Sequence, residues 1–261
     1  MDYQDMLASL GADSAHPGGM KSTWGWMRQI RIQGRAQVLE VGCGTARTLN
    51  ELATRCGCRC SGIDVRPEMI EKATHRSEAA GNAISLQVAD VQRLPFADAS
   101  FDLVLAESVN VFLPDVSAGL AECYRVLRPG GIYLDVEMTL MSPVSPQWKQ
   151  EVGRVYGVKV IPDTRGWKRY LQQAGFDSVK VLHSQGIQSQ DMMQKGMDES
   201  DALNLASPGA YQNPEILQLL GQNAQWLENN HRYMGFVVLA ARKGPGNNPL
   251  VQLTHTGRET E

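Results

Sequence analysis

The stretch Val38-Leu39-Glu40-Val41-Gly42-Cys43-Gly44-Thr45-Ala46-Arg47 decides the fold of this 261-residue chain. Its first four residues are mostly aliphatic, which is typical of a buried parallel strand. Gly42 and Gly44 then predict a tight turn whose backbone approaches a ligand closely, because neither residue carries a Cβ. A helix is predicted from Ala46 to Cys56, and its N-terminus presents free N–H groups to that ligand. The stretch therefore predicts a nucleotide-binding loop.

Two residues of this loop distinguish between the nucleotides that it could bind. The dinucleotide fingerprint has a third glycine three residues after the second, but Arg47 stands at that position. Glu40, two residues before the first glycine, would repel a pyrophosphate and suits a ligand with cationic groups. S-adenosylmethionine (SAM) carries an ammonium and a sulfonium and has no phosphate. An NAD(P)-dependent oxidoreductase, which would share the strand–glycine–helix unit, is the less favoured alternative.

Several motifs in the correct order resemble those of class I SAM-dependent methyltransferases, of the type that acts on small molecules. The motifs are Glu40-Val41-Gly42-Cys43-Gly44, Leu94-Pro95-Phe96 with Ser100-Phe101-Asp102, and Leu127-Arg128-Pro129-Gly130-Gly131, together with acids at the ends of the second and third predicted strands. The resemblance covers roughly residues 35–182 and the final strand. It implies a doubly wound α/β fold with a seven-stranded, mostly parallel sheet of order 3-2-1-4-5-7-6, in which the last strand is inserted antiparallel.

The spacing and the resemblance together suggest how the cofactor is held. Asp64 stands twenty residues after Gly44, about the spacing at which a carboxylate reaches ribose hydroxyls in such folds. Met69 is placed to pack against the adenine ring or, equally well, in the core. The resemblance implies that Asp90 accepts from the adenine amino group and that Val91 offers its backbone N–H. The predicted cofactor-binding residues are Glu40, Gly42, Cys43, Gly44, Asp64, Val65, Met69, Asp90, Val91 and Glu107.

Glu107 follows the fourth predicted strand, close to where the transferred methyl group is expected. Ligands of open α/β sheets collect outside the carboxyl ends of the strands. Glu107 could accept a proton from the attacking group, orient that group or hold the cofactor's ammonium, and a solvated loop acid is the alternative. It is a weak candidate for a catalytic residue, and the catalytic residues are otherwise unassigned. A general base is needed only if the acceptor is protonated and weakly acidic.

Composition predicts a globular enzyme of the cytoplasm, a monomer or a homodimer. The hydrophobic share of 43% is enough for a sizeable core, and the net charge of −3 without a basic run speaks against nucleic acid. No apolar run reaches ~18 residues, so no membrane span is expected. Five cysteines without an apolar leader indicate reduced thiols. The cluster Cys56-x-Cys58-x-Cys60 matches no usual zinc spacing, so no metal is predicted.

One methyltransferase domain is expected over residues 1–243. Within it, residues 1–33 form an N-terminal lid or lead-in with a helix from Ser22 to Ile32, and residues 183–233 form a cap inserted before the last strand. Residues 244–261, polar and rich in glycine and asparagine, are expected to be a disordered tail.

The methyl acceptor is what the sequence does not identify. A small molecule with an O, N, S or C nucleophile is expected, because the chain lacks an Asn/Asp-Pro-Pro-Tyr motif after the fourth strand that would indicate a nucleic-acid base. A SAM-binding regulatory or partner protein without transfer activity is the alternative. The role of His16-Pro17-Gly18-Gly19, a flexible lead-in or part of a lid, stays open at this point.

Overall fold

The computed structural model describes residues 1–187 and 203–254. The N-terminal part consists of α1 (Tyr3–Leu10), α2 (Gly19–Met27) and β1 (Ile30–Ile32). Strands and helices then alternate as β2 (Gln37–Val41), α3 (Arg47–Cys56), β3 (Arg59–Asp64), α4 (Pro67–Ala79), β4 (Ser85–Val88), β5 (Phe101–Glu107), α5 (Val116–Val126) and β6 (Leu127–Leu140). The remaining elements are α6 (Pro146–Tyr156), α7 (Thr164–Gln173), β7 (Ser178–Gly186), α8 (Pro214–Asn230), β8 (Met234–Arg242) and β9 (Val251–Leu253).

Seven strands form one sheet in the order β4-β3-β2-β5-β6-β8-β7. Strand β8 runs antiparallel to both of its neighbours, β6 and β7, whereas the pairs from β4 to β6 are parallel. The predicted fold class and strand order are therefore confirmed, including the antiparallel last strand. The central strand β5 is buried at every position, which explains the apolar run from Leu103 to Ala106 within it.

Helices cover both faces of the sheet, and the alternation of side chains along β5 separates the two layers. Leu103 and Leu105 belong to the apolar cluster that contains residues of α2 and α3. Val104 and Ala106 belong to the cluster that contains residues of α5, α6 and α7. Successive side chains of a strand point to opposite faces, so one short strand contributes to both cores. The carboxyl ends of β2, β3 and β5 meet at one edge between these layers.

The two terminal segments differ from the sequence-based expectation. The helix expected to reach Ile32 ends at Met27, and Ile30–Ile32 forms β1, which pairs antiparallel with β9 in a separate two-stranded ribbon. The prediction of a disordered tail is therefore wrong for residues 244–254, and residues 255–261 lie outside the described residues. The physical reason is burial, since Val251 is 2% exposed. Asn248 adds a hydrogen bond from Nδ2 to Oδ1 of Asp102, at 2.9 Å.

The expected cap over residues 183–233 is described in part. Strand β7 continues to Gly186, so the insertion begins later than expected, and residues 188–202 lie outside the described residues. Helix α8 packs against α1 and α6, which brings the two ends of the chain together. Within the two described ranges, none of the helices combines the length and apolarity that a membrane crossing requires.

Candidate active site

A cavity of about 570 Å³ lies at the carboxyl ends of β2, β3 and β5. We call the residues of the loops and first helical turns that follow these strands the floor. They are Glu40, Gly42, Cys43, Gly44, Thr45, Arg47, Thr48, Asp64, Met69, Glu107 and Ser108. We call the residues on α1, on the segment after it and on α8 the roof. They are Tyr3, Gln4, Met6, Leu7, Leu10, Ala12, Asp13, Ser14, Ala15, His16, Pro17, Leu220, Asn223, Ala224, Leu227 and Glu228.

The glycine loop has the close approach that its sequence predicts. Gly42 has a φ of +62°, and a Cβ there would lie 2.6 Å from Cγ2 of Val109. Gly44 has a φ of +52° and no atom within 4 Å of the position a Cβ would take, so it faces open space. Cys43 donates its backbone N–H to the carbonyl oxygen of Ile63 at 2.8 Å, which ties the loop to β3. The loop is therefore held in place by its own backbone hydrogen bonds, and Gly44 leaves space beside it at the cavity.

Asp64, at the end of β3, connects the second strand to this loop. Its Oδ2 accepts the backbone N–H of Gly44 at 3.0 Å, and its Oδ1 accepts that of Arg66 at 2.9 Å. Burial raises the pKa of this carboxyl, while the two backbone donors oppose the shift. Each oxygen of a carboxylate accepts a further hydrogen bond, so Asp64 can receive two hydroxyl groups from the cavity. That capacity fits a ribose diol.

Glu40 is the buried acid that fits a cation. It is 4% exposed, and no residue in the described ranges donates a hydrogen bond to its Oε2. Burial raises the pKa of Glu40 well above the ordinary value, and repulsion by Glu107 and Asp64 adds to the shift. A buried carboxylate oxygen without a partner is costly, and a cation in the cavity would relieve that cost. The residues present therefore fit SAM, whose ammonium group supplies such a cation.

Glu107 lies at the end of β5 and accepts hydrogen bonds from two helices. Its Oε1 accepts from Oγ1 of Thr23 at 2.8 Å and from Nε1 of Trp26 at 2.9 Å, both on α2. Its Oε2 accepts from Oγ1 of Thr48 on α3 at 2.6 Å. Nε2 of His16 lies 3.5 Å from the same Oε2. Both oxygens are thus engaged by protein groups, and the carboxylate joins the sheet to α2 and α3.

Three of the predicted cofactor residues do not border the cavity. Val65 is 66% exposed, and Val91 is buried in the core beside α5. The carboxylate of Asp90 accepts from the backbone N–H of Gln92 at 2.9 Å and from its side-chain amide. The other predicted residues, including Met69 in the first turn of α4, lie together on the floor.

Sequence reasoning missed the residues that join roof and floor. Arg47, which argued against a dinucleotide, forms an ion pair with Asp13 of the roof at 3.2 Å. Arg66 pairs with Asp5 and Asp2 of the N-terminal segment. The acids at the start of the chain are visible in the sequence as candidates for ion pairs. No spacing rule, however, connects them to the arginines that follow β2 and β3.

Comparison with known proteins agrees with the motifs. Residues 39–134 match the family model described as a methyltransferase domain. The uncharacterized methyltransferase YodH of Bacillus subtilis (strain 168) is 29% identical over 241 residues, which cover 92% of this chain and 99% of the relative.

Two solved structures have the same fold. The cyclase SpnF matches with a TM-score of 0.73 and 20% identity over 93% of each chain. Phosphoethanolamine N-methyltransferase 2 of Haemonchus contortus, in complex with SAM, matches with a TM-score of 0.69 and 20% identity over 93% of this chain and 56% of that chain. At this level of identity the likeness establishes the fold and no more.

Proposed function

The chain belongs to the class I SAM-dependent methyltransferases, and from this premise we propose that it methylates a small molecule whose body is largely apolar. SAM is its cofactor. The observation that carries the proposal about the acceptor is the division of the cavity. Carboxylates line the floor, whereas the remaining walls are mostly apolar.

The cofactor positions that we propose follow from the chemistry of the floor. Glu40 holds the ammonium group, since its unpaired Oε2 is the buried acceptor that a cation would satisfy. Asp64 receives the ribose hydroxyls while it keeps its bonds to the backbone of Gly44 and Arg66. Met69, 7% exposed at the cavity wall, packs against the adenine ring.

A role in cofactor binding remains a prediction for Val65, and a role at the adenine ring remains one for Asp90 and Val91. In the described geometry, the carboxylate of Asp90 accepts from the amide of Gln92. For Asp90 to accept from the adenine amino group, its hydrogen bonds to the side-chain amide of Gln92 must break and a bond to the cofactor must replace them. The bond to the Gln92 backbone could remain, because a carboxylate oxygen has a second lone pair.

The space for the acceptor lies on the side of the roof. The apolar residues that border it there and at the adjoining wall are Leu7, Leu10, Phe112, Met138, Tyr156, Ile187, Leu220, Leu227 and Met234. Burial of apolar surface stabilises a complex by roughly 25 cal/mol per Å², so this wall favours a hydrocarbon body over a charged metabolite. A ligand pocket with few polar groups among apolar side chains is typical of small-molecule sites.

The chain contributes positioning and exclusion of water to the reaction. When bound, SAM supplies a methyl group on a positively charged sulfur. The roof covers the site, so the acceptor can meet this group with little competing water. We assign to Glu107 a positioning role instead of proton transfer, because both of its oxygens already accept hydrogen bonds from Thr23, Trp26 and Thr48. His16 of the roof is engaged in the same way, because its Nδ1 lies 3.3 Å from the carbonyl oxygen of Pro17 and its Nε2 lies 3.2 Å from Oγ1 of Thr23, so we assign no proton acceptor to the site.

Calorimetric titration of the wild type and of Asp64→Ala tests the cofactor positions. We expect the variant to bind SAM more weakly by at least ~1–3 kcal/mol, because two cofactor hydroxyls lose their acceptor. Glu71→Ala, an exposed acid on α4, is the matched control and should bind as the wild type does. Unchanged SAM affinity in Asp64→Ala would contradict the ribose assignment.

Formation of S-adenosylhomocysteine with a panel of acceptors tests the acceptor class. We expect turnover with apolar alcohols, phenols or amines and little with amino acids or short RNA. The variant Leu227→Asp, which places a charge in the apolar wall, should reduce turnover of apolar acceptors and leave SAM affinity unchanged. Turnover confined to RNA, protein or highly charged metabolites would contradict the proposal.

A further inference from the structure

We propose that Asn223 of the roof recognises an oxygen atom of the methyl acceptor, so that the acceptor is an apolar molecule carrying a neutral carbonyl or hydroxyl group. The inference rests on the proposed function and narrows its substrate class. It concerns a single amide side chain within a wall that is otherwise suited to hydrocarbon.

Helix α8 presents one face to the cavity, and Asn223 lies on that face. The residues of α8 that border the cavity are Leu220, Asn223, Ala224, Leu227 and Glu228. Their spacing of three, four, seven and eight residues is that of one helical face. Three of the five are apolar, and Glu228 stands at the C-terminal end of the set. Asn223 is therefore the one neutral polar side chain that α8 contributes to the cavity.

The amide of Asn223 has hydrogen-bonding capacity that the protein does not use. The residue is 8% exposed, and no partner for its Nδ2 is found among residues 1–187 and 203–254. Its backbone carbonyl accepts from the hydroxyl of Tyr156 at 3.0 Å, and Tyr156 also borders the cavity. That bond holds the position of α8 and does not involve the side chain. A buried amide without a partner destabilises the protein, whereas a ligand oxygen in the cavity would pair with it.

The surroundings restrict the kind of oxygen. An uncharged amide donates well to a carbonyl or hydroxyl oxygen, but it does not compensate the desolvation of a carboxylate or phosphate in an apolar wall. Glu228, one turn further along the same face, would also repel an anion. A ketone, ether or alcohol group has an uncharged oxygen that can accept from the amide of Asn223. On a hydrocarbon body, such a group also fits the apolar wall.

A pair of small probes with the same number of carbon atoms tests the proposal. Acetophenone carries a carbonyl, and ethylbenzene is its hydrocarbon counterpart. Binding of each to the full-length protein saturated with S-adenosylhomocysteine is measured by ligand-observed NMR. We expect the wild type to prefer acetophenone by about tenfold, the usual effect of one buried hydrogen bond. Asn223→Leu, of similar size but without the amide, should lose this preference while its affinity for ethylbenzene stays the same or rises.

Two further variants complete the test. Asn223→Ala removes the amide altogether, so it should also lose the preference, and it decides the outcome if Asn223→Leu does not fold. Gln222→Leu, exposed on the same helix, controls for added hydrophobicity and should keep the wild-type preference. Equal binding of the two probes by the wild type, binding of neither, or an unchanged preference in both Asn223 variants would overturn the proposal.

Titration of the same proteins with SAM separates this proposal from the function on which it rests. Intact SAM binding together with an unchanged probe preference refutes the role of Asn223 alone. Failure of the wild type to produce S-adenosylhomocysteine with any small acceptor refutes the proposed function itself.

Discussion

The floor and the roof of the cavity differ in chemistry and in the way that the chain encodes them. The floor consists of short loops after buried strands, and its functional atoms are carboxylates and backbone groups. The roof consists of α1 and α8, which come from opposite ends of the chain and present mostly apolar side chains. In the proposed function, cofactor binding and acceptor choice therefore reside in separate parts of the sequence.

The separation is not complete, because polar contacts join the two parts next to the cofactor residues. Glu107 of the floor holds Thr23 and Trp26, which follow the N-terminal roof segment. Arg66, two residues after Asp64, pairs with acids of the N-terminal segment. These contacts allow the state of the floor to influence the roof, and substitutions can test how strongly.

The largest effect is expected from Glu107→Leu. The substitution leaves the donors of Thr23, Trp26 and Thr48 buried without an acceptor, so the free energy of unfolding should fall by about 3–5 kcal/mol. Urea denaturation measures the change. Thr48→Val, which removes one of the three bonds, should cost about 1 kcal/mol. A loss below about 1 kcal/mol in Glu107→Leu would show that α2 and α3 are held to the sheet by other contacts.

The next effect concerns the charge of the floor. Burial raises the pKa of Glu40 well above its ordinary value in the free protein, which favours the protonated acid, whereas an ammonium group beside it would favour the ionised form. SAM binding should therefore release a proton. The affinity should rise with pH from about the ordinary carboxyl value up to the raised pKa, by at most ~1.4 kcal/mol per pH unit.

Calorimetry in two buffers of different ionisation enthalpy measures this proton release. Glu40→Gln should bind SAM more weakly and without proton release. An equal number of released protons in the wild type and in Glu40→Gln would assign the effect to another group. Because the roof supplies no acid to the ammonium in this assignment, roof variants such as Leu227→Asp should keep the wild-type proton count.

A third effect arises below the floor, at Glu137 on β6. Its Oε1 accepts the backbone N–H groups of Val109 and Asn110, at 2.9 and 2.6 Å, and it is fully buried. Burial and the neighbouring Asp135 raise its pKa well above 4.5. The folded state thus favours the neutral acid, so the stability that it contributes is complete below the unfolded value and is lost as the pH rises towards the folded pKa.

Glu137→Gln keeps an acceptor oxygen and removes the titration. We expect the stability of this variant to depend less on pH than that of the wild type, by about 1 kcal/mol between roughly pH 5 and pH 8. Thermal unfolding at several pH values provides the measurement, with Glu71→Gln as the exposed control. Parallel curves for the wild type and Glu137→Gln would mean that Glu137 does not titrate in this range.

The smallest effect is expected at the ion pairs of Arg66. Its side chain is 30% exposed, and solvent screens the pairs with Asp5 and Asp2, so Arg66→Met should destabilise the closed roof by only about 0.2–1 kcal/mol. We expect a modest increase in the rate of SAM dissociation, measured by stopped-flow fluorescence, that shrinks at high salt. Arg55→Met, whose partner Glu51 lies on its own helix, should leave that rate unchanged. Identical rates of SAM dissociation in the wild type and Arg66→Met would show that Arg66 does not help to hold the roof over the site.

The architecture of the floor could be predicted because its determinants are local. The turn at Gly42 and Gly44 follows its strand directly, and Asp64 comes one strand–helix unit later, so a period of about twenty residues places them at one sheet edge. The strand order followed from the family resemblance in the same way, because each motif adjoins one strand.

The contacts of the roof could not be predicted because they are long-range. Glu107 meets Thr23 and Trp26 across separations of 84 and 81 residues, and no spacing rule encodes such a pair. The place of Asn223 depends on the rotation of α8 about its axis, which the packing against α1 and α6 determines. The ribbon of β1 and β9 escaped prediction because strands of three residues leave almost no periodic signal.

That ribbon has a practical consequence for the handling of this protein. A truncation chosen by homology would end the chain at the last strand of the main sheet, near residue 243. It would remove β9, the strand that pairs with Ile30–Ile32, and the hydrogen bond from Asn248 to Asp102. Expression clones should therefore extend through residue 254, since a shortened version exposes an unpaired edge and invites aggregation that says nothing about the enzyme itself.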